Sequence, residues 1–158
     1  MRATEGFATD INPFLIWLGR VKAARYRVSQ QIELLAAVEA IAELLREGKA
    51  TAAPLPPLAN IERWWHRAEL DFVTRLRGEV ELAATGPVRD LLKVAFCRTM
   101  IALSNAAFNH QSMSFKAPEA TNQIRLPMEV AENAFVSQFL SDGRVVADAM
   151  LDNPKGSI

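Results

Sequence analysis

Apolar residues recur at helical spacing along most of this chain, with polar residues between them. The clearest case begins near Ser29, a suitable N-cap residue, and ends at Gly48, a residue type that commonly terminates helices. One face of this predicted helix is apolar and should pack into a core. That face comprises Leu34, Leu35, Val38, Ile41, Ala42 and Leu45.

Two further long helices are predicted along the chain. One starts near Glu62 or His66 and ends near Ala84. The other, the last of the chain, begins at Pro127 and ends near Asp152. With these segments the chain is expected to be mainly helical.

A helix between these two is the most buried candidate. It follows Gly86, places Pro87 at its first position and is predicted to reach Ala107. Its polar side carries Arg89 and Lys93. Its apolar stripe comprises Val88, Leu91, Leu92, Ala95, Thr99, Ala102 and Leu103.

Two segments have the composition of connections between helices. Residues 49–59 are rich in alanine and proline, which predicts a linker or an extended loop. Residues 109–123 are polar and predict a loop.

The start of the chain differs from the rest. Gly6–Thr9 is apolar enough for a buried strand, Asp10–Pro13 has turn chemistry, and Pro13 suits the first turn of a helix. A single strand–helix step can neither pair its strand nor bury its faces. We therefore expect residues 1–28 to be the remnant of an α/β domain, and residues 29–158 to be a helical insertion or cap region attached to it.

Composition narrows the class of protein without identifying it. The chain has 158 residues, half of them hydrophobic, and a formal net charge of zero, so the molecule as a whole is not a polyanion binder. No apolar run reaches membrane-spanning length, and the N-terminus lacks the pattern of a secretion signal. Cys97 is the single cysteine, which excludes an internal disulfide and makes a cytoplasmic location the default expectation.

Three segments, in order, resemble S-adenosylmethionine-dependent DNA methyltransferases of the amino-methylating class, which modify N4 of cytosine or N6 of adenine. The first is Ala8-Thr-Asp-Ile-Asn-Pro13 with the apolar and basic helix that follows it. The second is Asn60-Ile-Glu-Arg-Trp-Trp65, and the third is the block Val94–Lys116. The resemblance implies a Rossmann-like cofactor domain around the N-terminal step, S-adenosyl-L-methionine as cofactor, and DNA as partner.

The chain also departs from the pattern of that family. No G-x-G occurs, and the family's Asp/Asn/Ser-Pro-Pro-aromatic catalytic motif is absent, since Pro56-Pro57 is flanked by Leu55 and Leu58. The resemblance therefore implies an internal fragment that is inactive in isolation, with no catalytic residue of its own. The remainder of the methyltransferase would then be a partner.

The resemblance assigns cofactor binding to Asp10, Asn12 and Phe14. An acid after the second strand of such a fold accepts hydrogen bonds from ribose hydroxyls. The residues themselves leave a second role open for Asp10, because aspartate is also a preferred helix N-cap. Asn12 is the more natural cap. Phe14 and Trp17 could flank an adenine or belong to the core.

Contacts to DNA are expected from basic and polar residues around the third helix. Lysine and arginine neutralise phosphates, and asparagine and glutamine pair with adenine edges. The alternative is a polar loop whose side chains satisfy its own backbone. The expected DNA-binding residues are Arg89, Lys93, Asn109, His110, Gln111, Ser112 and Lys116.

The remaining reactive side chains suggest no further chemistry. Trp64 and Trp65 could stack on a base, although adjacent aromatic residues at a helix start usually pack inside. His66, Cys97 and His110 are too few and too far apart in the sequence for a zinc site. A non-catalytic helical module that docks on a partner or binds an apolar ligand is the alternative function.

Overall fold

The computed structural model describes residues 9–107, 114–115 and 128–151, and this part of the chain is mainly helical, as the sequence predicts. The predicted strand Gly6–Thr9 lies outside the described residues except for Thr9, which is irregular. The elements in chain order are α1 Pro13–Ala23, α2 Val28–Arg46, a 3₁₀ helix Ile61–Arg63, α3 Arg67–Ala83, α4 Gly86–Ala102, β1 Ala106–Ala107, β2 Ser114–Phe115 and α5 Met128–Ala149.

Helices α2, α3, α4 and α5 enclose one hydrophobic core, and α5 packs most extensively, on α2 and α4. The predicted apolar face of α2 is buried except for Leu35, which is half-buried against the core. On α4 the predicted stripe is buried from Val88 to Thr99, whereas Ala102 is exposed and Leu103 is half-buried against the core. The largest fully buried side chains are Phe72, Phe139, Leu34, Ile41, Leu45, Leu76 and Leu92.

A buried carboxylate joins α5 to α4 within this core. Asp142 is 3% exposed. Its Oδ1 accepts from Nε of Arg98 at 2.9 Å, and its Oδ2 accepts from Oγ1 of Thr99 at 3.0 Å and from Nε2 of Gln138 at 2.9 Å. Three donors from two helices thus satisfy a charge that would otherwise be costly to bury.

Several helix boundaries differ from the predicted ones. Ser29 lies inside α2, which begins at Val28, and the backbone N–H of Arg27 donates to Oε1 of Gln30 at 2.9 Å. The predicted third helix is too long, because Ala106–Ala107 pair with Ser114–Phe115 as an antiparallel β-ladder. Of the two starting points considered for α3, the one at His66 is confirmed.

Gly48 ends α2 as predicted, and the geometry shows why glycine is needed. Its φ is +66°, a left-handed conformation that residues with a Cβ adopt only at a cost. The N–H of Lys49 donates to the Leu44 carbonyl at 2.9 Å, and that of Gly48 to the Leu45 carbonyl at 3.1 Å. This Schellman motif reverses the chain so that it returns along α3.

The start of the predicted linker, residues 49–59, is attached to α3. The N–H of Ala53 donates to the Thr74 carbonyl at 2.9 Å, and the N–H of Thr51 donates to the buried Glu79 carboxylate at 2.6 Å. The two segments approach most closely at Gly78, where a Cβ would collide with the Thr51 carbonyl. Gly78 is therefore required by packing.

We predict that Gly78→Ala lowers the free energy of unfolding by about 1–3 kcal/mol, the usual range for forcing extra volume into a packed site. Gly19→Ala is the matched control, because nothing lies within 4 Å of its Cβ position. In α1 this control should be neutral or stabilise by up to about 1 kcal/mol through helix propensity. Urea unfolding of both variants checks the opposite signs, and equal effects would contradict the close approach at Gly78.

Candidate functional site

The turn before α1 divides two tasks between Asp10 and Asn12. Asn12 is the N-cap, and its side-chain oxygen accepts from the N–H of Phe14 at 2.9 Å. Asp10 Oδ1 accepts instead from the N–H of Asn12 at 2.7 Å. Asn12, the more natural candidate of the two, is thus the N-cap. The exposed Asp10 carboxylate orients the turn.

Helix α1 is docked on α4 by a hydrogen bond from Trp17 and by apolar contact. Nε1 of Trp17 donates to Oδ1 of Asp90 at 2.9 Å, and Val21 is buried in the common core. The Tyr26 hydroxyl donates to the Val21 carbonyl at 2.8 Å. Burial, with a smaller contribution from the Asp90 charge, raises the pKa of Tyr26, so the phenol remains a donor at neutral pH.

A cleft of about 290 Å³ lies between α1, α3 and α4. We call it the aromatic cleft. Its lining residues are Phe14, Trp17, Arg77, Val80, Glu81, Lys93, Phe96 and Cys97. The Phe14 and Trp17 rings are 5.5 Å apart, at an interplanar angle of 43°. The structure thus brings together Phe14, expected at a cofactor, and Lys93, expected at DNA.

The aromatic cleft has two basic side chains and one acidic side chain. Nε of Arg77 lies 3.1 Å from Oε1 of Glu81, so these two charges form a pair. Lys93 forms no ion pair with any residue in the described ranges. Burial raises the pKa of the Cys97 thiol, which is therefore neutral at physiological pH.

Arg89, the other basic residue expected on α4, serves the fold. Its Nε donates to the Ala84 carbonyl at 2.6 Å, and Ala84 is the C-cap of α3. A cation at this position also interacts favourably with the negative end of the helix dipole. Arg89 thus joins the end of α3 to the start of α4.

The polar residues expected to contact DNA after α4, namely Asn109, His110, Gln111, Ser112 and Lys116, lie outside the described residues. The chain on either side of the first four is held by the β1–β2 ladder, in which Ala106 faces Phe115 and Ala107 faces Ser114. Asn105 is held as well: its N–H donates to the Trp64 carbonyl at 2.7 Å.

The tryptophan pair contacts protein groups on both sides. Nε1 of Trp65 donates to the Met100 carbonyl at 2.9 Å. Trp64 packs edge-on against Phe115, with ring centroids 5.1 Å apart, and the Arg63 guanidinium lies 4.8 Å from the centroid of the same ring. These contacts support the interpretation of the pair as packed aromatic residues.

Sequence reasoning missed the α3 side of the aromatic cleft. Arg77, Val80 and Glu81 are spaced i, i+3, i+4, which places them on one helix face. Lys93, Phe96 and Cys97 repeat that spacing on α4. The pattern was present in the sequence, but it does not reveal that the two faces meet. Within the described ranges, no group of three or more histidine, cysteine or acidic residues could hold a metal ion.

No family model matches this chain, and comparison with curated proteins and with solved structures also gave no match. The helices of the described ranges include none with both the length and the hydropathy needed to cross a membrane.

We predict that Asn12→Ala and Asp10→Ala affect α1 differently. Loss of the N-cap should cost about 1 kcal/mol of α1 stability, the typical value for this substitution. Asp10→Ala should cost less, because the Asp10 carboxylate bonds to the N–H of the cap residue and not to an N–H within the helix. Amide hydrogen exchange of α1 in both variants is the measurement, and faster exchange in Asp10→Ala than in Asn12→Ala would reverse the assignment.

Proposed function

We propose that this chain is part of an S-adenosylmethionine-dependent DNA methyltransferase of the amino-methylating class, acting on N4 of cytosine or N6 of adenine. In this proposal Gly6–Thr9 is the second strand of a Rossmann-like cofactor domain and α1 is the helix that follows it. The observation that carries the proposal is the turn before α1, where Asn12 caps the helix and the Asp10 carboxylate is exposed.

The residues of this turn fit the ribose of the cofactor. A carboxylate has two acceptor oxygens, and the two hydroxyls of a ribose are donors that it can hold. The bond from the Asn12 N–H fixes the orientation of the Asp10 side chain, so ligand binding costs less conformational entropy. S-adenosylmethionine supplies the methyl group that the target amine attacks, and Phe14 offers apolar surface beside the turn.

The helical region would connect cofactor binding to DNA binding. Helix α1 rests on α4 through Trp17 and Asp90, and α4 leads through β1 to the polar residues 109–116. Because Arg89 holds the Ala84 carbonyl and Lys93 lines the aromatic cleft, Lys116 and the cluster Asn109–Ser112 would carry most of the DNA contact. Such enzymes turn the target base out of the duplex, which needs a nearby surface for the DNA backbone.

We predict that Asp10→Ala in the complete enzyme weakens S-adenosylmethionine binding about tenfold or more, because hydrogen bonds to a charged group are worth about 1.5–3 kcal/mol. Glu33→Ala is the matched control, since Glu33 is an exposed acid on α2, outside the turn. Calorimetric titration gives both affinities. Equal affinities for Asp10→Ala and the parent enzyme, with the fold intact, would reduce Asp10 to a residue that shapes the turn.

A second prediction concerns the salt dependence of DNA binding by the complete enzyme. Replacing Arg89 and Lys116 by alanine should reduce the slope of log affinity against log salt by about 0.9 for each phosphate that the variant no longer neutralises. Since Arg89→Ala also removes the donor to the Ala84 carbonyl, circular dichroism must show that the variant is folded.

The pair Arg89→Lys and Lys116→Arg is the control for charge in that experiment, because it keeps both cations. If the alanine variant, the control and the parent enzyme show equal slopes of log affinity against log salt, these residues are not part of the DNA interface.

A further inference from the structure

The walls of the aromatic cleft are suited to a flat apolar group. Phe14, Trp17 and Phe96 contribute three aromatic rings from α1 and α4, and Val80 adds an aliphatic surface from α3. Phe14 is 46% exposed although its ring packs beside Trp17, so a bound group would bury further apolar surface there. Burial of apolar surface favours binding by roughly 25 cal/mol per Å².

The size of the cleft restricts the ligand. Its volume of about 290 Å³ is at the lower end of the range for small-molecule sites. A single or fused pair of rings fits this space better than a long chain or a folded peptide. Aromatic rings also stack favourably on one another when offset or edge-on.

The charge of the cleft points to an anion. Arg77 and Glu81 compensate each other, and Arg77 also lies 3.4 Å from the Pro54 carbonyl through Nη1. Lys93 lines the same cleft, and its ammonium forms no ion pair among the described residues. The lining residues Arg77, Glu81 and Lys93 together carry a net charge of +1, which an anionic ligand would neutralise.

We propose that the aromatic cleft binds a small planar carboxylate, with its rings against Phe14, Trp17 and Phe96 and its carboxylate on the Lys93 ammonium. Neutral compounds with the same rings bind less well, because Lys93 is then desolvated without a charged partner in return. The cleft is built from α1, α3 and α4 alone, so this site does not depend on the methyltransferase assignment.

The test compares 2-naphthoate with 2-naphthamide, which has the same rings and no charge, by calorimetric titration of the 158-residue chain. We expect 2-naphthoate to bind about tenfold more tightly, the range for one charge-assisted hydrogen bond. Lys93→Met keeps the aliphatic stem and should abolish the preference. Lys49→Met is the control, because Lys49 has a 67% exposed side chain and lies outside the lining of the cleft.

A second readout uses the wall of the cleft directly. Cys97 lines the cleft, so bound 2-naphthoate should slow its alkylation by iodoacetamide several-fold in the parent chain but not in Lys93→Met. Equal affinity for the two naphthalene ligands, unchanged preference in Lys93→Met, or unchanged alkylation of Cys97 would each overturn the proposal. If Lys93→Met does not fold, Lys93→Gln, which also removes the charge, replaces it, and the two ligands on the parent chain decide.

Discussion

The Asp142 carboxylate is the interaction on which the arrangement of the helices depends. It lies in the core and is 3% exposed. Two of its hydrogen-bond donors, Arg98 and Thr99, are on α4, and the third, Gln138, is on α5 with Asp142. Removing a hydrogen-bond donor from a buried carboxylate is costly, so these three bonds favour one position of α5 on α4. The next residue, Gly143, fixes the other side, because a Cβ there would lie 2.7 Å from Cγ1 of Val38 on α2.

Helix α4 is consequently the element that transmits this order to the rest of the described chain. Its core face is held by α5, its Asp90 receives α1 through Trp17, and its Lys93 and Phe96 form one wall of the aromatic cleft. Just after α4, Ser104 is buried and the N–H of Asn105 donates to the Trp64 carbonyl. These contacts fix the path of the chain from α4 into β1. The turn at Asp10, through α1, and the β1–β2 ladder are thus both positioned by α4.

Local patterns sufficed to predict most of the helices but not what they form together. The stripes of α2 and α4 were readable because burial of one helix face imposes a period of 3.6 residues, and Gly48 and Pro13 mark ends by their backbone limits. Predictions from the sequence were wrong or missing where tertiary contacts determine the local structure. Ala106 pairs with Phe115 instead of continuing α4, and residues 51–53 adhere to α3 because Gly78 lets them approach. The aromatic cleft needs three helices to meet, and no local pattern specifies their relative position. The division of roles between Asn12 and Asp10 was partly readable, since both residue types favour turns.

The Tyr26 hydroxyl makes the contact between α1 and the core weaker at alkaline pH. It donates to the Val21 carbonyl, and burial raises its pKa above the ordinary value, so the folded chain holds the phenolic proton more tightly than the unfolded chain does. Stability from this group is fully present below the pKa of an unfolded tyrosine, about 10, and declines as the pH rises beyond it. A phenolate cannot donate to a carbonyl, so ionisation removes the bond that closes the end of α1. Strongly alkaline solution therefore weakens the attachment of this helix.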